Sequence, residues 1–361
     1  MQAAAAALWA TGATPTPKQV GTYLVHMRDP KYRFDRMREM SNSKGNCGIH
    51  QASGKVVNYR IMLAGESGLG KTTMMNNLFS SYTDKPVGNK GKQFDKTRLE
   101  DFMKPELRVK LQESFQVVFP GPQCTQSTVN FFLQDTPGYG DDVNVMNSIN
   151  MVADHAKDQH ILWNKHVKAT TSIGLMPDIQ QDTRFDICLY FISPHRYRGI
   201  DVAYVAALAK YVNVVPIIAK SDTIFPSDLW DKYEADYGLK RPAAGVFACV
   251  SSPIEDQGSF LQMFGVPAAA WPTRQYAWGT AAVFNPSHSD TFALRIMLFE
   301  KGFTHVDEST ERLYRNIVQD LHARTATGGG FSVWPWIGAF AAFLILMGLI
   351  GACTEGGQKR A

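Results

Sequence analysis

The chain alternates between short apolar runs and longer stretches of helical periodicity, and each change of rhythm marks an element. Residues 59–64 (Tyr-Arg-Ile-Met-Leu-Ala) predict a strand, and after a glycine-rich interval residues 73–79 read as a helix. Two β-branched and aromatic runs, 114–119 and 127–133, flank a Pro-Gly-Pro turn and predict a hairpin. A helical region over about 147–169 follows, then an unbroken apolar strand at 186–192, and then a helix-strand pair ending in the run 212–219. Continuous apolar strands alternating with helices predict an α/β fold: a mostly parallel sheet with helices on both faces. Ligands of such sheets sit beyond the carboxyl ends of the strands. The lysine-rich stretch 80–110 reads as an excursion outside the core, and 304–325 as one helix.

The two ends break this pattern. Residues 331–353 carry no charge and follow a glycine-rich hinge at 326–330. As a helix rising about 1.5 Å per residue, that stretch matches a hydrocarbon core of about 30 Å, so a transmembrane helix is expected there. Trp334 and Trp336 lie near one end, and Lys359 and Arg360 lie in the short polar tail 354–361. Residues 1–27 begin with an alanine run without a basic start, which reads as a disordered arm and not as a secretory signal. Between them and a domain over 56–325 lies the basic segment 28–55. Its Arg28, Lys31, Arg33, Arg36, Arg38 and Lys44, interleaved with Tyr32, Phe34 and Met37, suit an anionic lipid surface.

Composition narrows the class. With 361 residues and 45% apolar content, the chain can bury one core of about 250 to 280 residues. Its formal charge of +4 is small for that length and gives no case for nucleic acid as a partner. Cys47, Cys124, Cys188, Cys249 and Cys353 are scattered, with no CxxC pair, so neither a disulfide framework nor a zinc site is expected. A reducing compartment fits this usage.

The chemistry concentrates between the elements. Gly65, Glu66, Ser67, Gly68, Leu69, Gly70, Lys71 and Thr72 spell GxxxxGK[ST] between the first strand and a helix that continues through Thr73. Such a loop aims backbone N–H groups at one anionic centre, sends its lysine to the β/γ-phosphates and its threonine to Mg²⁺. Asp135-Thr-Pro-Gly138 ends a second strand, which predicts Asp135 on the metal side and the Gly138 N–H facing the γ-phosphate. Lys220-Ser221-Asp222 ends a third. There the Asp222 carboxylate is suited to accept from the N1–H and 2-amino group of guanine, which adenine does not offer, while the Lys220 stem covers the purine face. GTP or GDP with Mg²⁺ is therefore the expected cofactor set.

With these residues in hand, the chain resembles the septins, a family of filament-forming GTP-binding proteins. The resemblance rests on Gly65-Glu-Ser-Gly-Leu-Gly-Lys71, Asp135-Thr-Pro-Gly-Tyr-Gly-Asp141, Cys188-Leu-Tyr-Phe-Ile-Ser-Pro194 and Val212-Asn-Val-Val-Pro-Ile-Ile-Ala-Lys220. Arg274-Gln-Tyr-Ala-Trp-Gly279 and the blocks from Val283 and Leu294 that follow are similar to the family's own C-terminal element. It implies a P-loop GTPase fold, with Arg274 stacked on the guanine and Ser251 where the family usually has a glycine. Asp228 takes the place of an acidic residue that reaches a neighbour's nucleotide face. It also implies partners, this chain itself or other septins, joined through one interface across the nucleotide and another at the chain ends.

Hydrolysis is less well marked. Tyr139 follows Gly138, where other GTPases carry a water-orienting glutamine. The resemblance implies a threonine in the first switch; counting back from Asp135 gives Ser114, with Thr97 the fallback. The family's glycine-histidine-glycine turn is replaced by Pro194-His-Arg-Tyr-Arg-Gly199, where Arg196, or after it Arg198, would act as a finger on the neighbour's phosphates. The expected protein is a septin on a membrane, its GTP-binding domain on the cytosolic side, acting as scaffold or diffusion barrier in cytokinesis or membrane organisation with slow hydrolysis. A membrane-anchored monomeric signalling or trafficking GTPase is the alternative, and a structural protein with a dead site the third reading.

Overall fold

The structure, a computed structural model, describes residues 56–79, 95–108, 110–120, 126–140, 144–194, 198–223, 247–253, 272–277, 279–285, 288–298 and 303–326. The N-terminal arm, the basic segment, the hinge, the apolar stretch 331–353 and the tail lie outside them. Among the described residues no helix is long and apolar enough to cross a membrane.

Six strands form one sheet in the order β2-β3-β1-β4-β5-β6. They are β1 (Val56–Gly65), β2 (Glu113–Pro120), β3 (Gln126–Asp135), β4 (Ile187–Ile192), β5 (Asn213–Ile218) and β6 (Phe247–Ala248). β2 and β3 are the expected antiparallel hairpin, and every other pairing is parallel. β4 is apolar throughout, and β1 is apolar from Ile61 to Ala64, because both faces are covered there. Tyr59, Ile61 and Leu63 pack with Met74, Met75 and Leu78 of helix α1 (Lys71–Phe79) on one face. On the other, Met62 and Ala64 join Cys188, Tyr190 and Ile192 of β4. Helices α4 (Val145–Ser172) and α5 (Gly199–Leu208) cover that second face through Ile149, Val152, Tyr204 and Leu208. Asn144 starts α4, its side chain accepting from the Met146 amide at 3.1 Å.

The stretch 95–108 departs from expectation. It holds two single-turn helices, α2 (Leu99–Phe102) and α3 (Pro105–Arg108), and Phe102 is fully buried, edge-on to His155 of α4 at 5.4 Å. The described part of the excursion therefore contributes to the core, while residues 80–94 lie outside the described ones. After β6 come the hairpin β7 (Thr273–Tyr276) and β8 (Gly279–Ala282), then α6 (Thr291–Ile296) and α7 (Phe303–Ala326). α7 closes the end of the sheet where the parallel strands begin. Asn213 donates to the Val306 carbonyl at 3.3 Å and to Thr310 at 3.0 Å, and Arg184 bridges Asp182 and Glu311 at 2.6 and 2.9 Å.

Candidate functional site

The carboxyl ends of β1, β3, β5 and β6 bring four loops to one edge. At β1, Gly65 opens the turn and Leu69 anchors it, 7% exposed, in the first core layer. Lys71 is buried and folds back so that its ammonium donates to the carbonyls of Gly65 and Glu66 at 3.5 and 3.0 Å. Gly70 has φ +85° and Gly68 φ +77°, conformations that disfavour a side chain. Thr73 follows in the first turn of α1, half-buried.

Asp135, at the tip of β3, is the second anchor. The Thr72 hydroxyl donates to its Oδ2 at 2.6 Å and the Thr97 amide reaches the same oxygen at 3.4 Å. Its Oδ1 is buried and has no protein partner. Burial pushes the Asp135 carboxyl above the ordinary range, while Lys71, Thr72, the Thr97 amide and Lys96 pull it back. A buried carboxylate with one bare oxygen beside a threonine hydroxyl is a fitting pair of ligands for Mg²⁺, an ion that keeps most of its shell as water and phosphate oxygen. Among the described residues no group of three or more His, Cys, Asp or Glu is placed to hold a metal, so such an ion would depend on phosphates for the rest of its shell.

The turn after Asp135 is pressed onto the phosphate loop. Gly138 leaves no room for a side chain, since a Cβ there would lie 2.3 Å from the Ser67 nitrogen. The Tyr139 amide donates to the Gly65 carbonyl and the Ser67 amide to the Tyr139 carbonyl, both at 3.2 Å. The Ser67 N–H therefore holds the turn. The Tyr139 side chain runs away from the loop and donates to Asp201 Oδ1 of α5 at 2.7 Å, which also accepts from Tyr190 at 2.8 Å. Asp201 Oδ2 accepts from the Arg198 amide at 3.0 Å, and the Arg198 guanidinium lies 3.5 Å from Glu66.

At the base end, Lys220 is the one non-glycine residue with positive φ among the described ones, at +50°. That conformation turns the chain into Ser221, whose amide donates to the Cys249 carbonyl at 3.2 Å, and presents Asp222. The Asp222 side chain is 2% exposed. Its Oδ2 accepts from the Tyr276 hydroxyl and lies 3.7 Å from the Arg274 guanidinium; its Oδ1 has no protein partner. Ser251 reaches the phosphate loop, its hydroxyl 2.8 Å from where a Cβ on Gly70 would stand. Next to it, Ser252 exchanges two hydrogen bonds with Asn77 of α1 at 2.8 and 2.9 Å, which ties the base loop to the phosphate-loop helix.

The edge thus gathers Gly65 to Thr73, Asp135, Gly138, Lys220 to Asp222, Ser251 and Arg274. It does not gather Ser114. That residue is exposed on β2 opposite Phe132, and strand alternation sets it on the face away from Asp135. Thr97, buried beside Asp135 in a polar recess with Lys96, Arg98 and Lys110, takes its place. Arg196 and Asp228 lie outside the described residues. Sequence reasoning missed Tyr276 and Asp201. The first had a signal, because Arg274 and Tyr276 are two apart on a strand and share a face.

Comparison with known proteins agrees with this geometry. The septin family model matches residues 55–235, about half of the chain. Neuronal-specific septin-3 of Danio rerio is 29% identical over 286 residues, covering 71% of this chain and 72% of that protein. Septin-1 of Homo sapiens is 27% identical over 303 residues, covering 76% and 75%. The crystal structure of the septin GTPase domain from Chlamydomonas reinhardtii is 27% identical with a TM-score of 0.57, covering 73% of this chain and 99% of that one. The matched span carries the phosphate loop, the Asp135 turn and the Asp222 loop on one α/β P-loop sheet, and on that footing this chain belongs to the septin family of GTP-binding proteins.

Proposed function

We propose that the chain binds GTP or GDP with Mg²⁺ along this edge and assembles with copies of itself or other septins into oligomers or filaments on a membrane. There it serves as scaffold or diffusion barrier and hydrolyses GTP slowly. The observation that carries the reading is a pair of buried carboxylates, Asp135 and Asp222, each with one bare oxygen on the same edge and with the Lys71 loop between them. Leaving an acceptor buried and unpaired costs about 1 to 3 kcal/mol, so two of them on one ligand-bearing edge call for donors from outside the protein.

Each group has a role that follows from its surroundings. Lys71, held over the loop by two carbonyls, meets the β/γ-phosphates, and the N–H groups from Gly68 to Thr73 cradle them. Asp222 takes the guanine edge, with Lys220 and Arg274 against the ring faces and Ser251 beside the base. Mg²⁺, when bound through Thr72 and Asp135, supplies positive charge against the phosphate oxygens.

Slow hydrolysis follows from Tyr139. Its hydroxyl is committed to Asp201, and no side chain at that position orients a water molecule. Thr97 replaces Ser114 as the switch hydroxyl of this proposal. Arg196 of a neighbour is the proposed finger and Asp228 reaches the neighbour's nucleotide; replacing Arg196 by Ala in the assembled dimer lowers turnover if the finger is real. The uncharged stretch 331–353 anchors the assembly, and the basic segment 28–55 adds contact with anionic lipid.

Acid extraction of the chain purified in detergent tests the core of this reading. Stoichiometric GDP or GTP is expected, lost in Lys71→Ala and Asp222→Ala, and light scattering is expected to show dimers or larger species. Protein that carries no guanine nucleotide and takes up none refutes nucleotide binding. A strict monomer with bound GDP would instead favour a membrane-anchored GTPase that cycles alone.

A further inference from the structure

We infer that Tyr276 is a specificity-determining residue of the base pocket: its hydroxyl fixes the plane of the Asp222 carboxylate so that both oxygens meet the guanine edge together. The inference rests on the guanine reading above and assigns a role to a residue that the motifs do not mark.

Recognition of guanine by a carboxylate is a two-point contact. Two donors on the base, the ring N1–H and the exocyclic 2-amino group, run parallel, and a carboxylate satisfies both only when its plane matches theirs. A free Asp side chain turns about its terminal torsion in a broad well, so the second contact is lost unless something holds the carboxylate. Here the carboxylate is held on one side only. Oδ2 accepts from the Tyr276 hydroxyl and stands 3.7 Å from the Arg274 guanidinium, whereas Oδ1 is buried and bare. An oxygen with two lone pairs accepts from Tyr276 and still has one left for the base.

Tyr276 is built for that task. It sits on β7 opposite Gly279 of β8, and its ring packs against the first core layer. The Arg274 guanidinium lies 5.2 Å from the ring centre. The hydroxyl is thus a rigid donor at the end of a short antiparallel hairpin. Burial and the neighbouring Asp222 push its pKa up to about 12, so it remains a donor at any physiological pH. A hydrogen bond to an ionised partner is stronger than a neutral one, and the bond is made by a residue that touches the aspartate and not the base. Tyr276 is a positioning residue.

The discriminating measurement compares GDP with IDP, whose hypoxanthine keeps N1–H and lacks the 2-amino group. A one-point contact tolerates a turned carboxylate and a two-point contact does not. Equilibrium binding of both nucleotides to the full chain in detergent should show Tyr276→Phe weakening GDP about tenfold and IDP no more than about twofold, so that the preference for GDP shrinks about fivefold. Replacing Tyr276 with 4-aminophenylalanine, which keeps the ring and an N–H donor, should restore the wild-type preference. Equal losses for GDP and IDP in Tyr276→Phe would mean that the hydroxyl only stabilises the hairpin, and unchanged affinities would mean that it does nothing; either result overturns the inference. If the Phe chain does not fold, a 4-aminophenylalanine chain that folds but has lost the preference overturns it as well. A wild-type chain that binds neither nucleotide refutes the guanine reading itself, whereas one that prefers GDP while Tyr276→Phe matches it refutes only the role of Tyr276.

Discussion

At Gly138 the absence of one methyl group holds two loops together. A Cβ placed there meets the backbone of Ser67 and Glu66 at 2.3 to 2.8 Å, and neither is the end of a flexible side chain. Gly138→Ala should therefore prise the Asp135 turn off the phosphate loop. Expected are a fall in melting temperature of several degrees and GDP that no longer survives gel filtration; Gly174→Ala, at φ +76° with open space around it, should cost only about 1 kcal/mol of backbone strain and keep the nucleotide. Three residues earlier the chemistry is charge and not shape. Asp135→Asn keeps an acceptor for Thr72 and removes the negative charge that suits a divalent ion. In the wild type, EDTA should speed GDP release by about tenfold or more, and in Asp135→Asn it should change release little. A wild-type release rate indifferent to EDTA would contradict a metal at this pair.

Between elements, Asp201 joins three, of which the turn after β3 lies 62 residues away in the sequence. The turn after β3, strand β4 and helix α5 meet at its carboxylate through Tyr139, Tyr190 and the Arg198 amide. Asp201→Ala strands two buried hydroxyls and a helix-terminal amide, and should cost about 2 to 4 kcal/mol in chemical denaturation. Tyr139→Phe removes one donor and leaves the carboxylate its others, so about 1 kcal/mol is expected. This hub was not legible in the sequence, because nothing about Tyr139 or Asp201 taken alone says that they touch. The strands were legible for the opposite reason: β4, most of β5 and the second half of β1 are buried on both faces, and an unbroken apolar run is the direct trace of that burial. The two helices of 95–108 were read as excursion because four-residue helices have no periodicity to detect, and Phe102 is buried by α4, which begins 43 residues later. Ser114 was chosen by counting along the chain, whereas the hairpin register sets it opposite Phe132 on the wrong face. The Arg274 side of the base pocket was legible only through family resemblance, and its neighbour Tyr276 was missed although strand alternation sets it on the same face.

Across the whole molecule, the nucleotide edge and the α7 end of the sheet are chemically unlike. The edge keeps one oxygen of each carboxylate bare, while the α7 end pairs the buried Arg184 with Asp182 and the more exposed Glu311. Asp186 sits at that end, half-buried, its carboxylate accepting from the Arg60 amide at 2.7 Å. Burial, with Asp182 and Asp307 nearby, pushes its carboxyl up to about 8 against the pull of the Arg60 amide and Arg184. Between pH 4 and 8 the folded chain keeps this proton and the unfolded chain releases it, so this group makes stability fall as pH rises through that window, by up to about 1.4 kcal/mol per pH unit, and above 8 the loss is complete. His155 and His160 act in the other direction. Burial lowers both to about 4, so below pH 6.5 the unfolded chain takes up protons that the folded one refuses, and stability falls with acid until pH 4. The histidines thus shape the acid limb and Asp186 the limb above pH 6.5. Asp186→Asn keeps an acceptor for the Arg60 amide and abolishes the titration, which isolates the second limb. The melting temperature of the variant relative to wild type should climb steadily from pH 5 to 8 and level off beyond it, while the acid limb persists in both; an offset constant in pH would mean that Asp186 is ionised in the folded chain at every pH tested, held so by Arg184 and the Arg60 amide.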